Sequence, residues 1–292
     1  MLLNASALQG IHRSFKVLFQ SAFEGAESRY DLISMTVPST KKENTYAWLG
    51  EFPGMKEWID ERVVHKLKGH GYTIRNRSFE STIEVDREDI EDDDIGIYTP
   101  MVQELGRAAK VHPDVLVFGL LKDGWTTPCY DGKAFFATDH VQGDATVSND
   151  GGGSGAPWFL MDLSRAIKPI ILQQRKKPEF VAKDKITDDN VFFSRKFVYG
   201  VDDRKNVGFG LWQLAYASKN TLSATNYAAA RASMMGMRKE NKEPLGVRPT
   251  HLIVPPTLES PARKLIMNEF LDNGSSNEWK NSVKLEVVEW LA

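Results

Sequence analysis

Residues 59–77 alternate apolar and polar side chains as a β-hairpin does, yet they carry charge on both faces. The basic side chains are Arg62, Lys66, Lys68, Arg75 and Arg77, and Asp60 and Glu61 are acidic. A strand buried in the core of a monomer would not tolerate such a pattern. Arms of about eight to ten residues, joined by the turn at residues 68–71, would reach roughly 30 Å. The segment therefore predicts a hairpin that projects from the body of the molecule.

Residues 6–23 place apolar side chains at three- and four-residue intervals, which predicts an amphipathic helix. The apolar positions are Leu8, Ile11, Phe15, Leu18, Phe19, Ala22 and Phe23. Gly25 and the polar residues after it end the pattern. The helix is isolated at the start of the chain, so its apolar face must dock either on the chain's own core or on another subunit.

The stretch from Glu84 to Asp94 holds eight acidic residues against one basic residue, a net charge of −7. Asp92, Asp93 and Asp94 directly precede a helical pattern that extends to residue 122. Acidic residues are favoured at helix N-termini, so we expect a long acid-capped helix over about 94–122, kinked at Pro113. A calcium loop is disfavoured, because the alternating ligands and glycine of such loops are missing.

The remaining pattern mixes strands and helices without regular alternation, which predicts an α+β fold. Residues 125–157 are rich in glycine and other turn residues, and we expect a flexible surface loop at a domain boundary. The predicted strands or extended segments are 32–37, 45–52, 158–161, 169–172, 191–199, 250–254 and 283–290. The predicted later helices are 226–238 and 260–270.

Composition excludes several classes of protein. The chain has 292 residues, a net charge of −2 and one cysteine, so a disulfide-stapled scaffold and a polybasic nucleic-acid binder are excluded. The longest stretch without charge has thirteen residues, 206–218, against the roughly 20 apolar residues of a membrane span. The N-terminus lacks the features of a signal peptide, so we expect a cytoplasmic protein with no membrane partner.

Motifs for catalysis, cofactors or metals are not found. The chain has no phosphate-binding glycine loop, dinucleotide fingerprint or zinc-ligand pair. Cys129 with His140 could form a thiol and its base, and this hydrolase hypothesis stays open beside a buried structural cysteine. Ser154 lacks the strand-turn-helix elbow of a hydrolase, and His65 and His70 are interpreted as solvated hairpin residues. We expect no catalytic residue, cofactor or metal.

A basic region opposes the acidic run. Residues 165–185 contain seven basic and two acidic residues, a net charge of +5. A chain with both patches and no catalytic motif is most simply explained by pairing with copies of itself.

Several segments resemble the major head subunit of Mu-like phages and prophages. They are residues 48–58, 71–79, 83–93, 130–136, 138–140, 157–164, 175–180, 199–204 and 208–214. The resemblance covers nearly the whole chain. It implies the tailed-phage capsid fold of the Hong Kong 97 type, and a protein that is not an enzyme.

The resemblance also implies a division of the chain. Residues 1–44 would form an N-terminal arm, 45–80 an extended hairpin loop, and 81–156 a peripheral domain with a spine helix. Residues 157–282 would form the axial domain, and 283–292 a strand that returns to the peripheral domain.

The implied function is a major capsid protein that self-assembles into hexamers and pentamers of an icosahedral shell around double-stranded DNA. Its partners would be itself, a separate scaffold protein and a portal protein, with assembly in the bacterial host cytoplasm and a final place in the virion. A separate scaffold is expected because only some 44 residues precede the loop. The alternatives are an encapsulin-like cellular shell of the same fold and the Cys129–His140 hydrolase.

Aromatic and charged residues of the arm, loop and charged patches are the candidates for subunit contacts. They are Phe15, Phe19, Trp48, Phe52, Trp58, Arg62, Lys66, Arg75, Arg77, Asp92, Asp93, Arg175, Lys176 and Lys177.

Overall fold

The computed structural model describes residues 4–50, 71–142, 145–239, 242–271 and 274–292. Its helices are α1 (Ala5–Gly25), α2 (Tyr30–Ile33), α3 (Arg87–Glu91), α4 (Thr99–Lys122), α5 (Asp189–Ser194), α6 (Ala224–Met235) and α7 (Glu259–Ile266). Its strands are β1 (Ser34–Pro38), β2 (Glu43–Thr45), β3 (Thr73–Arg75), β4 (Arg77–Asp86), β5 (His140–Gln142), β6 (Ala145–Val147), β7 (Asp150–Gly153), β8 (Trp158–Met161), β9 (Ile170–Lys183), β10 (Lys196–Phe209), β11 (Ala215–Lys219), β12 (His251–Val254) and β13 (Lys284–Val287). This mixture of helices and strands confirms the α+β prediction.

A four-stranded sheet in the order β1-β9-β10-β4 forms one part of the molecule. β9 and β10 are fourteen-residue antiparallel strands, and β4 pairs with β10 from Asp86↔Lys196 to Arg77↔Lys205. β9 and β10 lie within residues 157–282, the range expected to be axial, yet they share this sheet with β4.

The N-terminal helix packs against this sheet and against α4. Leu8, Ile11, Phe15 and Phe19 of α1 are buried in a core that also contains residues of β9, β10 and α4. The side chain of Asn4 caps α1 by accepting a hydrogen bond from the Ala7 N–H at 2.9 Å. The predicted helix over residues 6–23 is confirmed, and its apolar face docks within the chain.

The spine helix α4 starts five residues later than the sequence predicts. Residues 95–98 form a 3₁₀ turn, and the Tyr98 hydroxyl donates to Asp89 Oδ2 at 2.5 Å, which joins this turn to α3. Pro100 occupies the first turn of α4, and Tyr98 caps it without a side-chain hydrogen bond. The expectation that Asp92, Asp93 and Asp94 cap this helix is therefore wrong. The helix continues through Pro113 to Lys122.

A five-stranded sheet in the order β13-β12-β8-β11-β7 forms the other part. All four residues of β8 are fully buried in a large core to which α6 and α7 also contribute. The C-terminal strand β13 pairs in parallel with β12, and Lys122 Nζ of α4 donates to the Ala292 carbonyl at 2.8 Å. The chain end thus contacts both parts.

Residues 125–157 do not form the flexible loop that the sequence predicts. Phe135 and Phe136 are buried, and Asn149 accepts from Ala137 N at 2.9 Å while donating to the Phe135 carbonyl at 2.8 Å. The glycines serve close packing, since a Cβ at Gly153, whose φ is +96°, would lie 2.3 Å from the Asn220 nitrogen. Within the described residues this segment is folded into the large core.

Two shorter predictions also differ. Residues 47–50 form a turn after β2, so the described part of the predicted strand 45–52 is not extended. Residues 189–194 form α5 inside the segment expected to be extended. In the described part of the chain, no helix has the length and apolar character needed to cross a membrane.

Candidate subunit interface

Phe15 and Phe19, proposed as contacts of the arm, are nearly fully buried inside the chain. The Phe15 ring lies 5.0 Å from the ring of Tyr199 in an edge-on arrangement, and Phe19 lies 5.4 Å from Phe180. Their relative exposures are 2% and 3%. The structure favours the interpretation in which this helix docks on its own subunit, so these rings stabilise the subunit before assembly.

The base of the predicted extended loop is firmly attached to the body. Gln173 of β9 accepts a hydrogen bond from the Tyr46 hydroxyl at 2.8 Å and donates to the Ile74 carbonyl at 3.0 Å and to Asn76 Oδ1 at 2.9 Å. Burial raises the pKa of Tyr46 to about 12, so its hydroxyl remains a donor at neutral pH. This buried network holds Tyr46 and residues 74–76, which lie on either side of the undescribed stretch, on strand β9.

Three candidate residues lie at or beside this base. Trp48 is half-buried and packs edge-on against Tyr46, with ring centroids 6.1 Å apart. Arg75 and Arg77 are exposed, and the Arg77 guanidinium lies 5.3 Å from the centre of the Phe79 ring. These two arginines offer charge at the surface.

Four candidates lie outside the described residues. They are Phe52, Trp58, Arg62 and Lys66. The first predicted hairpin arm, His65 and His70 lie in the same range, so they stay predictions. Residues 73–75 of the second predicted arm are described, and they form β3, which pairs with β2.

Two of the three basic side chains at residues 175–177 of β9 have partners within the chain. Lys176 Nζ lies 2.8 Å from Asp202 Oδ2 and 3.1 Å from Glu179 Oε2, and the Asp202 carboxylate raises the pKa of this lysine. Arg175 donates to the Ser39 carbonyl at 3.4 Å, while the side chain of Lys177 is exposed.

The acidic candidates Asp92 and Asp93 follow α3, which comes directly after the edge strand β4 of the same sheet. Both are exposed in the turn that follows α3, and Asp93 has a positive φ of 65°. They are therefore available to a partner.

Sequence reasoning missed the exposed aromatic pair Phe192 and Phe193 at the end of the β9–β10 hairpin. Two adjacent phenylalanines between charged residues 183–189 and 195–196 were the available signal. The pair was interpreted as part of an extended segment, in which one ring would have faced the core.

Cys129 and His140 lie near each other, and the carboxylate of Asp131 contacts both side chains. The Cys129 thiol donates to Asp131 Oδ1 at 3.1 Å, and His140 Nδ1 lies 2.7 Å from Asp131 Oδ2. Burial, reinforced by the Asp131 carboxylate, raises the pKa of the thiol and keeps it protonated.

The His140 ring is fully buried and stacks on Trp212 at 4.0 Å. The ligand atoms of Cys129, Asp131 and His140 lie within 4.8 Å of one another, but hydrogen bonds within the cluster account for this arrangement. The thiol therefore lacks the thiolate character of a nucleophile, and the cluster serves to fold residues 129–140.

Comparison with known proteins gives matches along the whole chain. A family model described as "Mu-like prophage major head subunit gpT" matches residues 8–291. The chain is 41% identical to the major capsid protein of Escherichia phage Mu over 305 aligned positions, which cover all of both chains. It is 42% identical to the Mu-like prophage FluMu major head subunit of Haemophilus influenzae over 289 positions, 94% of each chain.

Solved structures give the same result. A chain in the procapsid of bacteriophage JBD30 is 42% identical and superposes with a TM-score of 0.88, covering 99% of this chain and all of that one. A chain in the JBD30 capsid is 31% identical with a TM-score of 0.80, covering both chains completely. The similarity therefore includes both sheets and all the described helices.

Proposed function

This chain belongs to the Mu-like prophage major head subunit family, and we propose that it self-assembles into hexamers and pentamers of an icosahedral shell around double-stranded DNA. It is a phage major capsid protein with the Hong Kong 97-type fold, and it is not an enzyme. The observation that supports the shell most directly is the TM-score of 0.88 with a procapsid chain.

The near-zero net charge of the chain suits a shell that encloses DNA. Each phosphate that a lysine or arginine neutralises adds salt-dependent affinity for DNA, and many such contacts would hold the cargo in place. With 37 basic and 39 acidic residues, the subunit has no excess of positive charge. DNA is therefore enclosed without sequence-specific binding and can enter and leave.

We propose a revised division of the subunit. The arm comprises residues 1–44, and the extended loop 45–80 is fixed at its base by Gln173. The four-stranded sheet with α4 forms the peripheral domain, so β9 and β10 belong to it, and the arm contributes β1 to this sheet and packs α1 against it. The five-stranded sheet with α6 and α7 forms the axial domain, including β13.

The partners proposed are further copies of the chain, a separate scaffold protein and a portal protein. Assembly takes place in the bacterial host cytoplasm, and the product is the capsid of the virion. Because α1 buries four large side chains within the subunit, loss of residues 1–24 would destabilise the subunit itself as well as shell formation.

The test is to co-express the protein with a candidate scaffold protein, purify particles by sedimentation and image them by electron microscopy. Closed shells of uniform diameter are expected, with a single band near 33 kDa on a denaturing gel. A soluble monomer at all concentrations would contradict the proposal. Particles purified from infected or induced cells should contain DNA, whereas a protein cargo instead of DNA would favour a cellular shell.

A further inference from the structure

The C-terminal strand β13 is an edge strand with one open side. It stands at the end of the five-stranded sheet and, among the described residues, pairs only with β12. On the paired side, the Lys284 N–H donates to the Thr250 carbonyl at 2.9 Å. Because successive residues of a parallel strand pair towards opposite sides, Leu285 and Val287 direct their backbone N–H and C=O groups away from the sheet.

Three of these four outward backbone groups are unpaired. The Val287 carbonyl accepts a hydrogen bond from Arg29 Nη1 at 2.8 Å. In the part of the chain that the structure describes, the Leu285 N–H, the Leu285 carbonyl and the Val287 N–H have no hydrogen-bond partner. An unpaired strand edge is a template on which an extended peptide can add a further strand.

A groove of about 840 Å³ runs along this open edge. The seven consecutive residues 281–287 line it, so it follows the backbone of the strand and not one face of the sheet. Ile266 and Met267, at the end of α7, add apolar lining. A strand added to β13 would lie about 4.8 Å from it, and the groove provides the space for such a strand.

The groove has an excess of positive charge. It is lined by four basic residues and one acidic residue, namely Arg29, Arg248, Arg263, Lys284 and Glu286. Arg263 is already paired with Glu259 at 2.7 Å. Arg248 and Lys284 are exposed and make no ion pair with any described residue. The lining therefore offers two free cations on either side of an unpaired strand edge.

We propose that this groove binds an extended acidic segment of a different protein, which adds a strand to the open edge of β13. The backbone of the segment would pair with Leu285 and Val287, and its carboxylates would contact Arg248 and Lys284. The inference goes beyond the proposed function, because it assigns a binding site for another protein and does not depend on shell formation.

This chain does not itself offer such a segment. Its acidic run at residues 84–94 is folded into β4, α3 and the turn that follows, where Glu84 pairs with Lys196 and Asp89 accepts a hydrogen bond from Tyr98. The longest stretch outside the described residues, 51–70, contains four acidic and four basic residues. A second copy of the chain therefore lacks the extended acidic strand that the groove fits.

The backbone groups favour a peptide over a nucleic acid. Phosphate oxygens would be attracted to the cations, but they are acceptors and cannot pair with the Leu285 carbonyl. A peptide strand supplies both the N–H and the C=O groups that the edge needs. Its alternate side chains can also pack on Leu285, Ile266 and Met267.

Peptide binding to the dispersed full-length subunit tests the site. The probe is a short fluorescein-labelled peptide in which glutamate and valine alternate, and binding is followed by fluorescence anisotropy. A control peptide carries proline in place of each valine, so it keeps the charge but lacks every second N–H. The glutamate–valine peptide should bind more tightly by roughly tenfold or more. Equal binding of the two peptides, or no binding of either, would overturn the inference.

Charge reversal locates the binding site. Arg248→Glu with Lys284→Glu should weaken binding of the glutamate–valine peptide by roughly tenfold or more, because like charges then meet. The matched control, Lys183→Glu with Lys185→Glu, changes the net charge equally at two exposed lysines that belong to the other sheet or follow it, and should leave the affinity within about twofold. Equal weakening by both pairs would contradict the site, as would an oligothymidylate of equal charge that competes as well as the peptide.

Hydrogen exchange in the unchanged protein provides a measurement that needs no variant. With the glutamate–valine peptide in excess, the amides of Leu285 and Val287 should exchange more slowly. The amides of β7, at the other edge of the same sheet, should not change. Unaltered exchange at Leu285 and Val287 would overturn the inference.

The outcomes separate this inference from the proposed function. A subunit that forms closed shells but does not bind the peptide would overturn only the groove. A subunit that binds the peptide but never assembles would contradict only the shell.

Discussion

Replacing Gly106 by alanine tests whether α1 docks on the spine helix of its own subunit. Within a helix, alanine is favoured over glycine by about 1 kcal/mol, so the change would stabilise α4 if no other element packed against position 106. In the structure, a Cβ at position 106 would lie 2.4 Å from the Phe19 carbonyl oxygen and 3.1 Å from Cβ of Ala22. A backbone oxygen cannot rotate aside, so α1 must move by about 1 Å to reach normal contact distance.

Gly106→Ala is therefore expected to lower the free energy of unfolding, although helix propensity alone would raise it. Overpacking of this kind costs roughly 1–3 kcal/mol. Displacement of α1 also loosens the packing of its four buried side chains, each of which contributes about 1.5–3 kcal/mol when fully buried. Against the helix-propensity gain of about 1 kcal/mol, we expect a net loss of about 1–2 kcal/mol in the free energy of unfolding.

The same helix provides the control. Gly119 of α4 has no atom within 4 Å of its would-be Cβ, so Gly119→Ala should stabilise by about 0.5–1 kcal/mol. Denaturant unfolding of the dispersed subunit, followed by circular dichroism, measures both variants against the unchanged protein. Equal stabilisation by the two alanines would refute the docking of α1 on its own α4 and would restore the interpretation in which this helix binds another subunit.

Three further changes test other contacts. Asp114→Ala removes the carboxylate oxygen that accepts hydrogen bonds from the Arg29 and Tyr30 N–H groups, at 2.8 and 2.6 Å. The free energy of unfolding, measured with denaturant, should fall by about 1–3 kcal/mol for each N–H group left without an acceptor. Asp114→Asn keeps an acceptor and should lower it clearly less. The Cys129→Ser variant should assemble normally. In the unchanged protein at pH 8, Cys129 should react with a thiol reagent only after denaturation, because burial raises the pKa of its thiol. Rapid labelling of the native protein would contradict this. Burial, aided by the Lys205 ammonium, lowers the pKa of His112 below its ordinary value of 6.5. As the pH falls through 6.5, the unfolded chain therefore binds a proton at His112 more readily than the folded chain does, and the free energy of unfolding decreases. The drop in stability between pH 7 and pH 5 should therefore be smaller in His112→Gln, and an equal drop would exclude this contribution.

Elements with a clear period were predictable from the sequence. The spacing of Leu8, Ile11, Phe15 and Phe19 identifies α1, and the fully apolar run from Trp158 to Met161 identifies β8 at its observed bounds. The alternation of apolar side chains, at Tyr72 and Ile74 and then at Phe79, Ile83 and Val85, also changes phase between β3 and β4, where the structure has a break at Asn76. In each case the local pattern and the tertiary packing agree.

The errors arose where distant contacts override local composition. Glycines 151 and 153 suggested flexibility, but they allow the backbone to approach Ser218 and Asn220 closely. The start of α4 was displaced to Thr99, after a 3₁₀ turn that the hydrogen bond between Tyr98 and Asp89 joins to α3. Neither contact can be inferred from a single sequence.

The candidate contact surface was only partly predictable. Charge counting located both the acidic run and the basic region, but it emphasised Arg175, Lys176 and Lys177. The sheet register shows that Lys176 is paired with Asp202, whereas Arg175 and Lys177 on either side of it are exposed. Which lysines are free depends on the strand opposite them.

A cryo-electron microscopy reconstruction of particles assembled from this protein tests the account most directly. We predict a closed icosahedral shell built from rings of five and six copies of this chain. Isolated monomers at high protein concentration in the presence of the scaffold, or open aggregates without five- and six-fold rings, would contradict it.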